Sequence, residues 1–319
     1  GVHVHEDSKF EVLNGPATIL GVTDSNYPSW ETVGLGEKNQ LPTEGVSVKL
    51  THVANLDDGR QVDMIIKVGK FRTKTDDKPE FLKEFLSALG KSEDGGYFLT
   101  IDKNTSGNKQ IAINSAFGKQ TQLDIQFVDT DGNPVKLVTG LVTTDVDYKQ
   151  SVTVAGSAFL GNIIAPKEDS SLETITWNAY GVEVPNTVKD TVGIAADAAD
   201  SIPKGSFVSV LAGDSFSYTH GEWSEGMKQG DAYREEYLTN VRNASDKSSY
   251  GAYMYADIFG TGSKVNVHKP NIPTQPETTL VEVVGEIEVI NNTTEVINHT
   301  TYVEEGTGKE LTPKEAGIL

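Results

Sequence analysis

The chain of 319 residues contains no cysteine. This absence excludes disulfide bonds, thiolate zinc sites, cysteine nucleophiles and thioester cross-links. Basic residues are also scarce, with 27 Lys and Arg against 46 Asp and Glu and a formal net charge of −19. Repulsion between like charges opposes binding to phosphate backbones, so we expect no nucleic-acid partner. If the overall field helps to capture a ligand, we expect that ligand to present a basic patch.

Long apolar runs are missing as well. None approaches the roughly 18 consecutive apolar residues of a membrane-spanning helix, so we expect no membrane insertion. The sequence does not open with a basic segment followed by an apolar one, as a secretory signal does. If the protein is exported, we expect this chain to be a mature excerpt.

The common catalytic signatures are absent from the sequence. It has no GxSxG turn, phosphate-binding loop, GxGxxG or HExxH. A glycoside hydrolase needs only two facing carboxylates, and Glu222 and Glu225 flank Trp223. Three residues apart on a strand, these carboxylates point to opposite faces. We therefore predict a protein without catalytic residues or cofactors, and keep a carbohydrate-binding lectin or a carbohydrate-active jelly-roll enzyme as the alternative.

The stretch 121–154 carries the clearest strand pattern. Leu123, Ile125 and Phe127 alternate with polar residues, which is the period of a strand with one buried face. The turn residues Asp131-Gly132-Asn133 interrupt this pattern, and two further apolar runs follow. Three strands joined by short turns predict an antiparallel meander.

Similar short strands recur along residues 1–265. Residues 46–71, for example, predict two strands around the turn Asp57-Asp58-Gly59. Helical periodicity is limited to residues 77–90 and to a shorter stretch at 230–241. The pattern predicts an all-β fold, a lectin-like or jelly-roll antiparallel β-sandwich with one or two short helices.

The C-terminal part has a different composition. Residues 266–279 hold three prolines and are typical of a linker. Residues 280–319 form a short polar–apolar repeat that is too small for its own core. We predict one ligand-binding domain at 1–265, a linker at 266–279, and at 280–319 an extended β tail or the start of a next module.

Two groups of residues invite a metal site but favour simpler interpretations. Asp57 and Asp58, like Asp129 and Asp131, supply too few oxygens for calcium and are expected to form hairpin turns. His3 and His5 lack a third ligand nearby in the sequence, so we expect a frayed terminus there. We predict no metal.

Aromatic residues beside polar ones are the candidates for ligand contact. In loops, rings stack on a ligand while carboxylates, amides and guanidinium groups form hydrogen bonds. Such residues occur in the segment 24–31 and in the segment 221–259. The predicted binding rim consists of Tyr27, Trp30, Trp223, Glu225, Tyr233, Arg234 and Tyr237.

The segment FVDTDGNPV at 127–135 resembles a hairpin of ligand-binding domains on streptococcal surface adhesins. The wider pattern, including VKLTHVANLDDGRQVDMIIKV at 48–68 and SIPKGSFVSVLAGDSF at 201–216, is most similar to the non-repetitive domain of the CshA fibrillar adhesin family. More distantly it resembles the antigen I/II V-region and glucan-binding surface proteins. These stretches cover about a third of the chain, and none contains a catalytic signature.

The resemblance implies a bacterial cell-surface adhesin domain, part of a longer protein anchored to the cell wall. It implies attachment to host surfaces through an extracellular-matrix glycoprotein, with fibronectin the first candidate. Another matrix or salivary glycoprotein, or glycans, are further ligands that it implies. It transfers no individual binding residue.

Overall fold

The computed structural model describes most of residues 1–266 and four short strands beyond them. The described residues are 1–73, 84, 96–107, 109–116, 118–144, 146, 150–179, 182–191, 202–222, 231–244, 253–258, 264–266, 279–280, 286–288, 302–303 and 310–311. The helix predicted at 77–90 lies outside them except for Glu84, which is helical.

Strands dominate the described chain. The first ten are β1 (Phe10–Asn14), β2 (Thr18–Gly21), β3 (Trp30–Gly34), β4 (Ser47–Asn55), β5 (Gln61–Thr73), β6 (Leu99–Asn104), β7 (Ile111–Ala116), β8 (Gly118–Val128), β9 (Leu137–Thr144) and β10 (Gln150–Ala155). Six more are β11 (Phe159–Ile163), β12 (Leu172–Ala179), β13 (Val182–Asp190), β14 (Phe207–Gly213), β15 (Ser215–Glu222) and β16 (Tyr253–Ile258). A 3-10 turn at Ile202–Gly205 precedes β14, and the helix α1 spans Asp231–Asn243. The all-β prediction is confirmed.

These strands form two large sheets. Sheet A has the order β1-β4-β5-β8-β15-β10-β13-β12, and sheet B has the order β11-β14-β9-β16-β7-β6-β3-β2. Every pairing along these two paths is antiparallel. One continuous cluster of buried apolar side chains draws on both sheets, so the core lies between them.

Burial follows the alternation in sheet A. On β8, Leu123, Ile125 and Phe127 are each 1% exposed, whereas Gln122 and the other polar residues between them are partly exposed. Tyr218 on β15 is fully buried, and its hydroxyl lies 3.2 Å from Thr143 Oγ1 on β9. This contact is a buried hydrogen bond that links sheet A to sheet B.

The predicted meander at 121–154 is wrong. β8 and β10 belong to sheet A and β9 to sheet B, so no two of these consecutive strands pair with each other. The turn forms as expected, with a bridge between Val128 and Pro134, but the chain then crosses to the other sheet. Periodicity determines which face of a strand is buried; the partner strand depends on contacts distant in sequence.

The predicted fraying of the N-terminus is also wrong. Val2 and Val4 are 3% and 1% exposed and belong to the core. The backbone N–H of His3 donates to the carbonyl of Val53, at 2.8 Å, and that of Val4 to Lys109. The isolated valines of this segment contribute to a core built by strands distant in sequence.

Five short strands lie at or beyond the predicted domain boundary. The strands are β17 (Lys264–Asn266), β18 (Thr279–Leu280), β19 (Glu286–Glu288), β20 (Tyr302–Val303) and β21 (Glu310–Leu311). β18 pairs in parallel with the first residues of β9, and β17 pairs in parallel with β19. β20 and β21 form a small antiparallel pair. The proposed division at 265 and 279 stays a prediction.

Candidate functional site

A groove of about 340 Å³ crosses the outer face of sheet A. It draws side chains from six neighbouring strands, β5, β8, β15, β10, β13 and β12. Its volume lies at the lower end of the range of ligand-binding cavities. The lining residues are Lys70, Arg72, Gln120, Gln122, Thr153, Ala155, Trp177, Val182, Val184, Ser217 and Thr219.

A row of polar side chains forms the floor of the groove. Gln122 stands opposite Thr219, and Thr219 opposite Thr153, on successive strands. Behind this row, the fully buried hydroxyl of Thr187 lies 2.8 Å from that of Thr153 in a hydrogen bond. With strands about 4.8 Å apart, the row spans about 10 Å. It offers amide and hydroxyl groups to an elongated ligand.

Apolar side chains close the β12–β13 end. Trp177 lies directly opposite Val184 and is only 8% exposed. Val182 is 61% exposed at the mouth. An exposed valine beside a buried tryptophan gives this end an apolar wall that a ligand can cover.

The β5 end carries the charge of the groove. Lys70 is exposed and Arg72 is partly exposed. The described residues that line the groove include no Asp, Glu or His. Next to them, the carboxylate of Asp124 accepts a hydrogen bond from the floor residue Gln122.

A glycine positions the amide beside these cations. A Cβ on Gly69 would lie 3.1 Å from the side chain of Gln122, closer than ordinary van der Waals contact. The absence of a Cβ at this position lets Gln122 pack against β5. Nε2 of Gln122 also donates to Oδ1 of Asp124, two residues further along β8, at 3.1 Å.

A second hollow of about 440 Å³ lies beside the groove on the same sheet. The two share Ser217. The second hollow has one cation and one carboxylate, Lys67 and Asp124, and several small polar residues, including Ser157 and Ser215. The ligand-accessible area of sheet A thus extends beyond the main groove.

The structure separates two of the predicted rim residues from this groove. Tyr27 is 61% exposed in the turn before β3, and the N–H of Trp30 donates to its carbonyl at 3.1 Å. Trp30 begins β3 in sheet B, opposite Asn104. These two aromatics therefore lie close to each other at the start of a strand of the other sheet.

The remaining rim residues fall partly outside the description. Trp223 and Glu225 lie outside the described residues. Tyr233, Arg234 and Tyr237 lie on α1, which confirms the predicted helix, but their side chains are not among the described ones. Leu238 and Val241 of the same helix are 1% and 0% exposed. The rim stays a prediction.

The acidic turns use their carboxylates to hold the backbone. Oδ1 of Asp129 accepts hydrogen bonds from the N–H groups of Asp131 and Asn133, each at 2.9 Å. The hydrogen bond from Asn133 is the main cause of the lowered pKa of Asp129. In the β4–β5 turn, the pKa of Asp58 is lowered by hydrogen bonds from the backbone and side chain of Arg60.

The histidines near the N-terminus form a cluster with a third member, His52. The ring of His5 stacks on that of His52 with centroids 3.9 Å apart, and His3 packs edge-on against His5. Nδ1 of His52 lies 2.5 Å from Asp7, and Nε2 lies 3.0 Å from Asn55. Burial, followed by repulsion from His5, lowers the pKa of His3 to about 4.

This cluster connects the N-terminal segment to β4. Throughout the described ranges, no three His, Cys, Asp or Glu side chains are arranged to hold a metal ion. No described helix is long and apolar enough to cross a bilayer.

Sequence reasoning missed the groove. In the sequence, Gln120 and Gln122 belong to the polar half of an alternating strand, and Lys70 and Arg72 lie at the end of another strand. Their neighbours on β15, β10 and β12 lie 31 to 149 residues away in sequence. The only local signal was the polar outer face, which every half-exposed strand shares.

Comparisons with known proteins find similarity at the level of structure alone. No protein-family model matches the chain, and no curated protein shows significant sequence similarity to it. The N-terminal domain of the Streptococcus gordonii adhesin Sgo0707 matches over 84% of this chain, with 12% identity and a TM-score of 0.42. The adhesin domain of PrgB from Enterococcus faecalis matches over 65%, with 16% identity and a TM-score of 0.32.

The chain spans 60% of the Sgo0707 structure and 67% of the PrgB structure. Both TM-scores lie below 0.5, so neither similarity assigns a function to this chain.

Proposed function

We propose that this chain is the ligand-binding domain of a bacterial surface adhesin and that it captures a host glycoprotein in the groove of sheet A. The observation that carries the proposal is the groove itself, which combines a polar floor, an apolar wall and two cations on a rigid sheet. Sites of this composition bind and orient a ligand. The resemblance of the hairpin at 127–135 to surface adhesins supports the role, and the wider similarity to the CshA family suggests fibronectin as the first ligand to test.

The sheet offers pre-organisation. Its floor residues are held by continuous pairing from β5 to β12, so binding requires little ordering of the chain. A pre-organised surface loses less conformational entropy on binding than a flexible loop does. We expect the protein to work at the cell surface, in a longer chain, without catalysis.

A carbohydrate-active enzyme is the alternative. Acid–base hydrolysis of a glycoside requires two carboxylates about 5–10 Å apart. Of the two hollows on sheet A, the second has one described lining carboxylate, Asp124, and that residue accepts a hydrogen bond from Gln122. This arrangement favours binding over hydrolysis.

The test is surface-plasmon binding to immobilised fibronectin, before and after enzymatic removal of its glycans. Thr219→Trp places a bulky ring on the groove floor and is expected to lower affinity about tenfold or more. Thr18→Trp is the matched control, since Thr18 is exposed on β2 of the other sheet. Both variants are checked for an unchanged melting temperature.

Saturable binding that Thr219→Trp weakens and Thr18→Trp preserves would support the proposal. Binding that both variants retain would move the site away from the groove, and Tyr27→Ala would then test the predicted rim. Absence of saturable binding to fibronectin would remove that ligand, and release of product from a glycan substrate would establish the enzyme instead.

A further inference from the structure

The first eight residues form a strap that lies across both sheets. Its two valines belong to the core cluster. The N–H of His3 donates to the carbonyl of Val53 on β4 at 2.8 Å, and the N–H of Val4 donates to the carbonyl of Lys109 at 3.0 Å. β4 belongs to sheet A, whereas Lys109 lies in the loop between β6 and β7 of sheet B. The strap therefore bridges the two sheets.

Both attachment points of the strap have an unusual backbone conformation. His52, the residue before Val53, has a φ of 53°, and Lys109 has a φ of 48°. Residues with a side chain seldom occupy this left-handed region. They keep such a conformation where surrounding contacts impose it, and these positions cluster at switch regions. The strap supplies one contact at each point, from Val4 to Lys109 and from Ser8 to His52.

His52 is held by polar contacts on all sides. It lies where the register of β4 with β5 shifts, and its N–H donates to Oδ1 of Asp63 at 2.8 Å. Its carbonyl accepts a hydrogen bond from Oγ of Ser8 at 2.8 Å. Its ring lies between the side chains of Asp7 and Asn55. Two of these partners, Asp7 and Ser8, come from the strap, so the strap and this part of β4 fix each other.

The strap docks through three crowded imidazoles. The ring of His5 stacks on that of His52 with centroids 3.9 Å apart, and His3 packs against His5 with centroids 4.1 Å apart. Neutral rings can pack in this way, whereas protonated rings at this distance repel each other. Burial is the first cause of the lowered pKa of both His3 and His5. Repulsion from the neighbouring imidazole is the second cause.

The charged groups that face the three imidazoles come from four elements. They are the amino group of Gly1 and Asp7 on the strap, His52 on β4, Asp63 on β5, and Lys109 in the β6–β7 loop. The two cations oppose a proton on His3. Asp7 favours a proton on His5, but its side chain is 67% exposed and therefore screened. Asp63 already accepts two hydrogen bonds. The carboxylates thus offset only part of the charge of three imidazolium rings.

We propose that the strap is a pH-sensitive device, which docks across the two sheets while its histidines are neutral and is released when they take up protons, with the rest of the fold intact. Release withdraws two valines from the core and frees His52 and Lys109 to leave the left-handed region. Protonation of histidine clusters drives conformational changes of this kind near pH 5–6. The proposal is independent of the ligand of the groove.

Docking is favoured at neutral pH. His3 has a pKa of about 4 in the docked strap and an ordinary value near 6.5 in the released strap. The released form therefore binds more protons between these two values. The contribution of His3 to docking is fully present above about pH 6.5 and is lost as the pH falls toward 4. For His3 alone, the ratio of released to docked strap should rise about 30-fold between pH 7.5 and 5.

The experiment measures hydrogen exchange of single amides by NMR between pH 7.5 and 5, corrected for the intrinsic exchange rate. The amide of Val4 reports the strap, and the amide of Ile113, which is fully buried on β7, reports the core. The open population at Val4 should rise about 30-fold or more as the pH falls. At pH 5 it should exceed that at Ile113 by about tenfold or more, because local opening precedes global unfolding.

His3→Gln combined with His5→Phe removes both titrating rings of the strap and keeps a ring against His52. The exchange of Val4 in this variant should be nearly independent of pH. His220→Gln is the matched control, since burial also lowers the pKa of His220 to about 4. His220 lies on β15, three strands from β4 in sheet A, so this variant should keep the rise at Val4.

A rise at Val4 that the double variant abolishes and His220→Gln retains would support the proposal. A flat profile at Val4 in the unmodified protein, or the same rise in the double variant, would overturn it. Opening at Val4 that is no more frequent than at Ile113 would also overturn it, because the strap would then move only with the whole fold. This last comparison uses the unmodified protein, so it decides the matter even if the double variant does not fold.

Discussion

Strands β8 and β9 are neighbours in sequence but are used in opposite ways. β8 buries alternate residues and presents Gln120, Gln122 and Asp124 on an open outer face. β9, from Leu137 to Thr144, is buried at every position, and Val142 packs with Val208 on the face opposite the main core. One strand can therefore support recognition because only half of it is needed for the core, whereas the other is wholly structural.

The largest expected difference between β9 and β8 is in how much a substitution lowers the stability of the fold. Leu141→Ala in β9 should lower the free energy of unfolding by about 2–5 kcal/mol, since Leu141 is fully buried in the main core. Gln122→Ala in β8 should change it by about 0.5 kcal/mol or less. Urea unfolding measures both; equal losses would show that the outer face of sheet A is also structural.

Acidification should destabilise the protein through the buried face of β15, which carries His220. Burial lowers the pKa of His220 to about 4, and this histidine is 1% exposed next to the groove residue Thr219. The unfolded chain, with a histidine pKa near 6.5, binds more protons than the folded chain between pH 4 and 6.5. The contribution of neutral His220 to stability is therefore fully present above about pH 6.5 and is lost as the pH falls toward 4.

The expected loss from His220 is on the order of 3 kcal/mol across this window. Denaturant unfolding at a series of pH values measures the slope, and His220→Gln should flatten it whatever its effect at neutral pH. An unchanged slope in the variant would show that His3 or other groups cause the acid sensitivity.

A smaller effect is expected for the hydrogen bond between the sheets. Tyr218→Phe removes the donor or acceptor that faces Thr143 across the core and should cost about 1 kcal/mol. Thr219→Ala, one residue further and on the outer face, should be nearly neutral for stability. If thermal unfolding ranks the two variants in the reverse order, the assignment of inner and outer faces on β15 is wrong.

The smallest change in stability should accompany a clear change in binding. Gly69→Ala places a Cβ 3.1 Å from the side chain of Gln122 and should displace this amide from β5. We expect a loss of less than about 1 kcal/mol in stability and a several-fold loss in affinity for the ligand of the groove. Binding that is unaffected would show that Gln122 does not contact the ligand.

The sequence predicted local features better than long-range ones. The β4–β5 hairpin, the buried face of β8 and the helix at 231–243 follow from periodicity and turn residues, which are properties of adjacent positions. The crossings between sheets, the docking of Val2 and Val4 and the groove all depend on residues that meet only after folding. The site was predicted in the aromatic loops because clustered aromatic and polar residues can be recognised in a sequence. Polar residues on the outer face of a sheet have no such local signature.

Hydroxyl-radical footprinting of the complex with fibronectin tests the central claim most directly. Val182 in the groove and Tyr27 in the predicted rim are equally exposed, at 61%, so each can report loss of solvent access on its own sheet. If the ligand binds the groove, oxidation of Val182 should fall on complex formation while that of Tyr27 is unchanged. Protection of Tyr27 with continued oxidation of Val182 would contradict the account and place the binding surface on the aromatic loops.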